Sequence, residues 1–191
     1  MDDPKPGAAP SAAAPPKPEA TTQAVTAALS GAGPLYIVLI LCHLALRGDA
    51  LSALHIAFEL ISVAGVLAGT HWARLGGGGA AAVVTAGSIL LGCAVGAQAE
   101  PEPTLTTAAL LLAPGATLLA AGFLRVAPSI VFALLGFAVL IAAASLNPNY
   151  PPRMLSQVSV ALAGGTAWCL LLGGVLRGAL QQLAEREDEA A

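Results

Sequence analysis

The sequence predicts an all-α fold, an integral membrane bundle of six transmembrane helices with both termini in the cytoplasm. Of its 191 residues, 57% are hydrophobic and only 10% are charged, whereas soluble domains have about 25% charged residues. The apolar residues fall into six runs of about 20 residues each, the length that crosses a hydrocarbon core of about 30 Å.

The distribution of lysine and arginine predicts the orientation. Six of the eight basic residues lie in the two terminal segments, in the 74–79 loop and at Arg125, while the other loops carry Arg47 and Arg153. Cytoplasmic loops of membrane proteins are enriched in lysine and arginine. We therefore expect cytoplasmic termini in a multi-pass protein of the plasma membrane.

The chain is predicted to have three parts. Residues 1–23 hold six of the 14 prolines and too few apolar side chains to build a core, which predicts a disordered tail. Asp2 and Asp3 stand where a signal peptide has its basic region, so the first apolar run is expected to be an uncleaved helix. Residues 24–177 are the predicted six-helix domain, and residues 178–191 a short charged cytoplasmic tail.

Each predicted span follows from an apolar run bounded by loop residues. A run of four glycines at 76–79 disfavours helix and separates the second span from the third. The acidic, proline-containing loop at 100–103 and the polar loop at 147–153 separate later spans, and the loop glutamates are expected to be solvated. The spans begin near Thr26 and cover residues 26–46, 49–74, 80–99, 104–124, 129–146 and 155–176.

Small residues and a proline predict local geometry. Small residues at four-residue spacing let transmembrane helices approach closely. Mid-span, Pro114 and Gly115 predict a kink that frees a backbone carbonyl. The predicted helix-packing positions are Ser88, Gly92, Gly96, Gly165 and Gly174.

The second span carries the strongest candidate site. Glu59 lies near the middle of this apolar run, with His55 four residues before it and Ser62 three after it, so the three share one helical face. An ionisable residue at bilayer depth marks a functional site by default. His43 lies four residues before Arg47, at the end of the first span, so it is expected about 6–9 Å below the outer surface, at the level of His55.

Three interpretations of these polar residues stay open. His43, His55 and Glu59 can supply ligands to haem b or a transition metal, but no spacing signature identifies a metal site. The polar side chains can also simply hold helices together. Glu59 can be the protonatable site of a small permease.

Several classes of function are disfavoured. No HExxH or GxSxG motif occurs, so no catalytic residue and no enzymatic activity are predicted. The three cysteines form no CxxC pair, which argues against a redox dithiol or a zinc cluster. The net charge is −3, and without a basic patch nucleic acid is not an expected partner.

The second span contains a spaced motif, His55-x-x-x-Glu59-x-x-Ser62, which is followed by Trp72 and Arg74. This motif resembles the first helix of polytopic membrane-associated sensor domains of bacterial histidine kinases and diguanylate cyclases. The resemblance covers about 20 of the 191 residues. It implies a stand-alone sensing or accessory module of a bacterial inner membrane, in which His55 and Glu59 match the residues of the family's motif.

The sequence thus predicts a non-enzymatic membrane module, sensory or accessory, that works in the lipid bilayer with other membrane proteins or as a homo-oligomer. No cofactor is predicted in this interpretation. The alternatives are a haem- or metal-binding redox subunit that uses His43, His55 and Glu59, and a permease that uses Glu59.

Overall fold

The computed structural model describes residues 18–47 and 52–190, and every regular element within them is an α-helix. The helices follow one another along the chain through short turns. They are α1 (Pro18–Arg47), α2 (Ala53–Arg74), α3 (Gly78–Ala99), α4 (Pro103–Leu112), α5 (Pro114–Phe123), α6 (Val126–Ser145) and α7 (Pro152–Ala190).

Five stretches of helix in the described residues are long and apolar enough to cross a membrane. They are His55–Arg74, Gly78–Ala99, Pro103–Phe123 (α4 and α5 together), Val126–Ser145 and Pro152–Leu183. The apolar part of α1, Gly33–Arg47, is shorter. The predicted all-helical architecture is confirmed, and these helices fit an integral, polytopic membrane protein.

The helix ends differ from the predicted boundaries. In the described residues α1 runs from Pro18, so residues 18–23, which we predicted as tail, are helical. α7 continues to Ala190 through the segment predicted as a separate tail. The glycine run is shared between a turn and a helix: Gly76 has φ +89°, and α3 begins at Gly78. Residues 1–17 lie outside the described part of the chain.

A proline divides the fourth span. α4 ends at Leu112 and α5 begins at Pro114, because proline has no N–H to donate and its ring crowds the preceding turn. The backbone N–H of Ala113 donates to Leu110 at 3.3 Å, which closes the last turn of α4. The break lies at the position where Pro114 and Gly115 predict a kink.

α3 is the centre of the bundle and contacts α1, α2, α4, α5 and α6, while α7 packs against α4, α5 and α6. Small side chains make up much of the core around it, which suits helices that associate by close packing in lipid. These buried residues include Ala81, Ala82, Ala86, Ala116, Ala120 and Ala121.

The most extensive helix–helix contact joins α2 and α3, where glycines on one helix face hydroxyl side chains on the other. A Cβ added to Gly65 would collide with Ser88, and one added to Gly69 would collide with Thr85. A Cβ on Gly92 would lie 2.8 Å from the Ser62 Oγ. Ser88 and Gly92, both predicted packing positions, thus face α2.

The other predicted packing positions contact different helices. A Cβ on Gly96 would lie 3.5 Å from Ala109 of α4, and one on Gly165 would lie 3.2 Å from Pro114 of α5. Gly174 has only Arg177 of its own helix nearby, at 3.9 Å. The close approach of α7 to α5 is instead at Gly173, where a Cβ would collide with Ala121.

Candidate functional site

The N-terminus of α2 positions His55. Ser52 is the N-cap in an extended conformation, and its side chain accepts a hydrogen bond from the His55 backbone N–H at 3.1 Å. This bond provides an acceptor for one of the backbone N–H groups that have no partner within the helix at its N-terminus. The cap fixes the first turn of α2, so the His55 side chain projects from a defined position.

Three predicted residues come together between α1 and α2. The His43 and His55 rings stack with their centroids 5.8 Å apart and their planes at 15°. The His55 Nε2 lies 3.4 Å from the Glu59 Oε1. One potential ligand atom from each of His43, His55 and Glu59 lies within 4.8 Å of the others.

The polar atoms of this cluster are buried and unsatisfied. His55 is 1% exposed and Glu59 7%. Among the residues that the structure describes, no hydrogen-bond partner is present for the His43 Nε2, for either ring nitrogen of His55 or for the Glu59 Oε2. Buried polar groups in proteins are nearly always bonded, and each unsatisfied one costs about 1–3 kcal/mol. A cation bound through one atom of each side chain would remove part of this cost.

Ser62 belongs to a separate, satisfied contact. Its Oγ donates to the Ser88 carbonyl at 2.7 Å and lies 2.7 Å from the Tyr36 hydroxyl. Because the single Ser62 hydroxyl proton is used toward Ser88, the Tyr36 hydroxyl is the donor of the second bond. These bonds tie α1, α2 and α3 together next to the cluster. Our sequence analysis missed Tyr36, although it is a polar-tipped residue in an apolar run.

A second polar group pins the end of α1 to the loop after α3. The Arg47 Nη1 lies 2.8 Å from the Glu100 Oε1 and 3.5 Å from the Glu102 Oε2. The Asn147 side-chain amide donates to the carbonyls of Ala97, at 3.0 Å, and Glu100, at 2.8 Å. Glu100 is only 2% exposed, so our expectation that the loop glutamates are solvated was wrong for this residue.

The two polar groups are neighbours on α1. Arg47 follows His43 by four residues, which places it one turn further along the same face. The Arg47–Glu100 ion pair therefore holds the turn of α1 that carries His43 against the rest of the bundle. In the sequence, Arg47 and Glu100 stand at the ends of apolar runs. Hydropathy places such charges at the membrane boundary but does not identify which residues pair with each other.

The donor set fits a small cation of borderline softness. Imidazole suits zinc, copper, iron and nickel, and a carboxylate adds negative charge. A tetrahedral zinc site has bonds of about 2.0–2.1 Å, which place neighbouring ligand atoms about 3.3 Å apart. The separations here, up to 4.8 Å, need side-chain shifts of about 1 Å to reach that geometry.

No protein-family model, curated protein or solved structure matches the chain.

Proposed function

We propose that this protein is a non-enzymatic, multi-pass membrane module that binds one divalent transition-metal ion through His43, His55 and Glu59. The observation that carries the proposal is the convergence of these three side chains, with their ligand atoms within 4.8 Å and four of their buried polar atoms without a hydrogen bond to any residue that the structure describes. A bound ion would take one lone pair from each of the three side chains, whereas polar contacts between two helices do not require three ligand atoms to converge.

An ion suits the site better than haem. Two axial histidines of a haem point their nitrogens at the iron from opposite faces of the macrocycle. Here the His43 and His55 rings lie face to face, with centroids 5.8 Å apart and planes at 15°. A porphyrin placed between these rings would have to separate α1 from α2.

A sensory or accessory role is our proposal for how the site is used. Its support is the resemblance of the His55, Glu59 and Ser62 spacing to membrane sensor domains, together with ligands drawn from two helices. An ion that bridges His43 on α1 to His55 and Glu59 on α2 would hold these helices together. Metal binding would thereby change the mobility of α1 relative to α2. A partner protein in the plasma membrane could respond to that change.

We further propose six spans with cytoplasmic termini, where the apolar part of α1 is the sixth. Six of the eight basic residues fall on the predicted cytoplasmic side, as the distribution rule for membrane proteins expects. In this orientation the His43, His55 and Glu59 cluster lies toward the outer face. The ion would then reach the site from outside the cell.

Equilibrium metal binding tests the proposal. The purified full-length protein is stripped with a chelator, dialysed against Zn²⁺ or Co²⁺, and analysed for metal per chain. We expect one ion per chain, and a loss of affinity of about 100-fold for His55→Leu, because His55 is a direct ligand and changes to residues behind the ligands already cost about 10–100-fold. His71→Leu is the matched control, because His71 is exposed on the same helix. Absence of retained metal, or equal losses in the two variants, would contradict the proposal.

A further inference from the structure

A groove outside the metal cluster lies between α5, α6 and α7. Its volume is about 380 Å³, and its walls are apolar, with Ala121, Ile130, Ala167 and Leu171 among the lining residues. An apolar cavity of about 150 Å³ is large enough for a benzene ring, so this groove has room for a considerably longer hydrocarbon. Ile130 is 44% exposed and Leu171 65%, which leaves the groove open on the side that a bilayer would cover.

Arg177 is the charged residue that lines this apolar groove, at the end where α5 passes into α6. Its Nη1 donates to the carbonyls of Ala121 and Leu124 at the C-terminal end of α5. These two bonds hold the guanidinium at the mouth of the groove. Within residues 18–47 and 52–190, the ion pairs involve Arg47 and His55. Among these described residues, Arg177 therefore forms no ion pair with a carboxylate.

A second arginine and a helix N-terminus lie next to the residues that line this end of the groove. Arg125 is exposed in the turn directly after Leu124, whose carbonyl Arg177 binds. α6 begins at Val126, another lining residue, and no side chain caps this helix start. The positive end of the helix dipole therefore adds to the two arginines. An apolar groove with a positive mouth at the end of membrane helices complements a lipid tail joined to an anionic headgroup.

We infer that this groove is a phospholipid site, in which an acyl chain lies between α5, α6 and α7 and an anionic headgroup phosphate is bound at Arg177. Arginine binds phosphate through parallel N–H donors. Nη1 is the nitrogen that bonds the Ala121 and Leu124 carbonyls, and the Nη2 and Nε donors are the ones that would bind the phosphate. Basic pockets between transmembrane helices on the cytoplasmic side are typical sites for anionic lipid headgroups. The inference does not depend on the metal site, because the groove and the metal site share no residue.

Lipid retention measured by native mass spectrometry tests the headgroup contact. The full-length protein is delipidated in detergent and titrated with phosphatidylglycerol or phosphatidylcholine. We expect one phosphatidylglycerol per chain, bound in preference to phosphatidylcholine. Arg177→Gln should weaken phosphatidylglycerol binding about fivefold, the contribution of one basic residue near an anionic headgroup. Arg153→Gln is the matched control, since Arg153 is an exposed arginine at the other end of α7, and it should leave the affinity unchanged.

A second variant tests the groove without altering the charge. Ala167→Trp fills the space between the helices and should abolish retention of both lipids, while Ala161→Trp, at an exposed alanine elsewhere on α7, should not. Inorganic phosphate should fail to compete with phosphatidylglycerol. The inference is overturned if Arg153→Gln acts like Arg177→Gln, or if Ala167→Trp retains lipid, since the contact is then annular only. Full competition by inorganic phosphate would also overturn it, because the acyl groove would then contribute nothing.

Discussion

Glu59 and His55 are held next to each other in an interior that offers few other partners. They are 7% and 1% exposed, and they approach to 3.4 Å without the alignment of a hydrogen bond. Each therefore depends on the other for whatever stabilisation it receives in the metal-free protein. Removing one partner of a buried polar pair leaves the other unsatisfied, whereas replacing both by apolar groups can be nearly neutral.

This dependence predicts a non-additive mutant cycle. In chelator-treated protein, His55→Leu and Glu59→Leu should each lower the free energy of unfolding in detergent by about 1–3 kcal/mol. The double variant should recover much of that loss, because no buried polar group remains at the site. Strictly additive losses would show that the two side chains do not interact.

At the scale of helices, α3 is held against α2 by contacts that leave no room for a side chain at Gly65, Gly69 or Gly92. A Cβ on Gly92 would lie 2.6 Å from the Tyr36 hydroxyl and 2.8 Å from the Ser62 Oγ. A larger residue therefore forces the Tyr36 and Ser62 side chains, or the helices that carry them, to shift. Because polar bonds from Tyr36 and Ser62 converge on the same spot, that displacement also breaks hydrogen bonds.

Gly92→Leu is therefore expected to destabilise the protein in detergent by about 1–3 kcal/mol, the usual cost of overpacking. Gly87→Leu is the matched control on the same helix, because a Cβ at Gly87 has nothing within 4 Å. Thermal unfolding of both variants distinguishes the outcomes. Equal shifts in Tm would refute the assignment of this packing face.

The ion pair between α1 and the α3–α4 loop makes a second prediction at this scale. Glu100→Gln should lower stability by about 1–3 kcal/mol, less than the ~3–5 kcal/mol of a fully buried pair, because the Arg47 side chain is 26% exposed. Glu102→Gln is the control: Glu102 also faces Arg47, but its side chain is 55% exposed. Its loss should stay within about 0.5 kcal/mol, as for most surface changes. An equal effect of both variants would mean that burial of Glu100 adds nothing to the pair.

The helices were more predictable than their contacts. Long apolar runs determine where transmembrane-type helices form, and the four-residue spacing of His55 and Glu59 places them on one face whatever the rest of the chain does. Which glycine of a pair touches a neighbour depends on a rotation of about 100° between adjacent residues, and this is why Gly173 rather than Gly174 meets α5. The Arg47–Glu100 pair joins residues far apart in sequence, and helical periodicity carries no information about such partners.

For the whole molecule, the arrangement of spans determines which face of the membrane the ion and the lipid would reach. The clusters at Arg47 and His43 lie at one end of α1, and α2 runs back from them to Arg74. With cytoplasmic termini, the metal cluster lies toward the outer face and the Arg177 groove toward the cytoplasm. The two proposed sites are therefore expected on opposite sides of the bilayer.

Cysteine labelling tests this orientation. In a background where Cys42, Cys93 and Cys169 are replaced by alanine, Asn149→Cys should react with a membrane-impermeant maleimide from outside intact cells. Leu75→Cys should react only after the membrane is permeabilised. Both positions are exposed in the structure, so each serves as the accessibility control for the other. The reverse pattern would place the termini outside the cell.

The central claim is that His43, His55 and Glu59 bind one metal ion together, and X-ray absorption at the zinc edge tests it most directly. For the zinc-loaded protein we predict a coordination shell at about 2.0–2.1 Å with the multiple-scattering signature of two imidazoles. His43→Leu should remove one imidazole from that shell, and His71→Leu should leave it unchanged. A shell of oxygen ligands alone, or one that is the same in His43→Leu, would contradict the account.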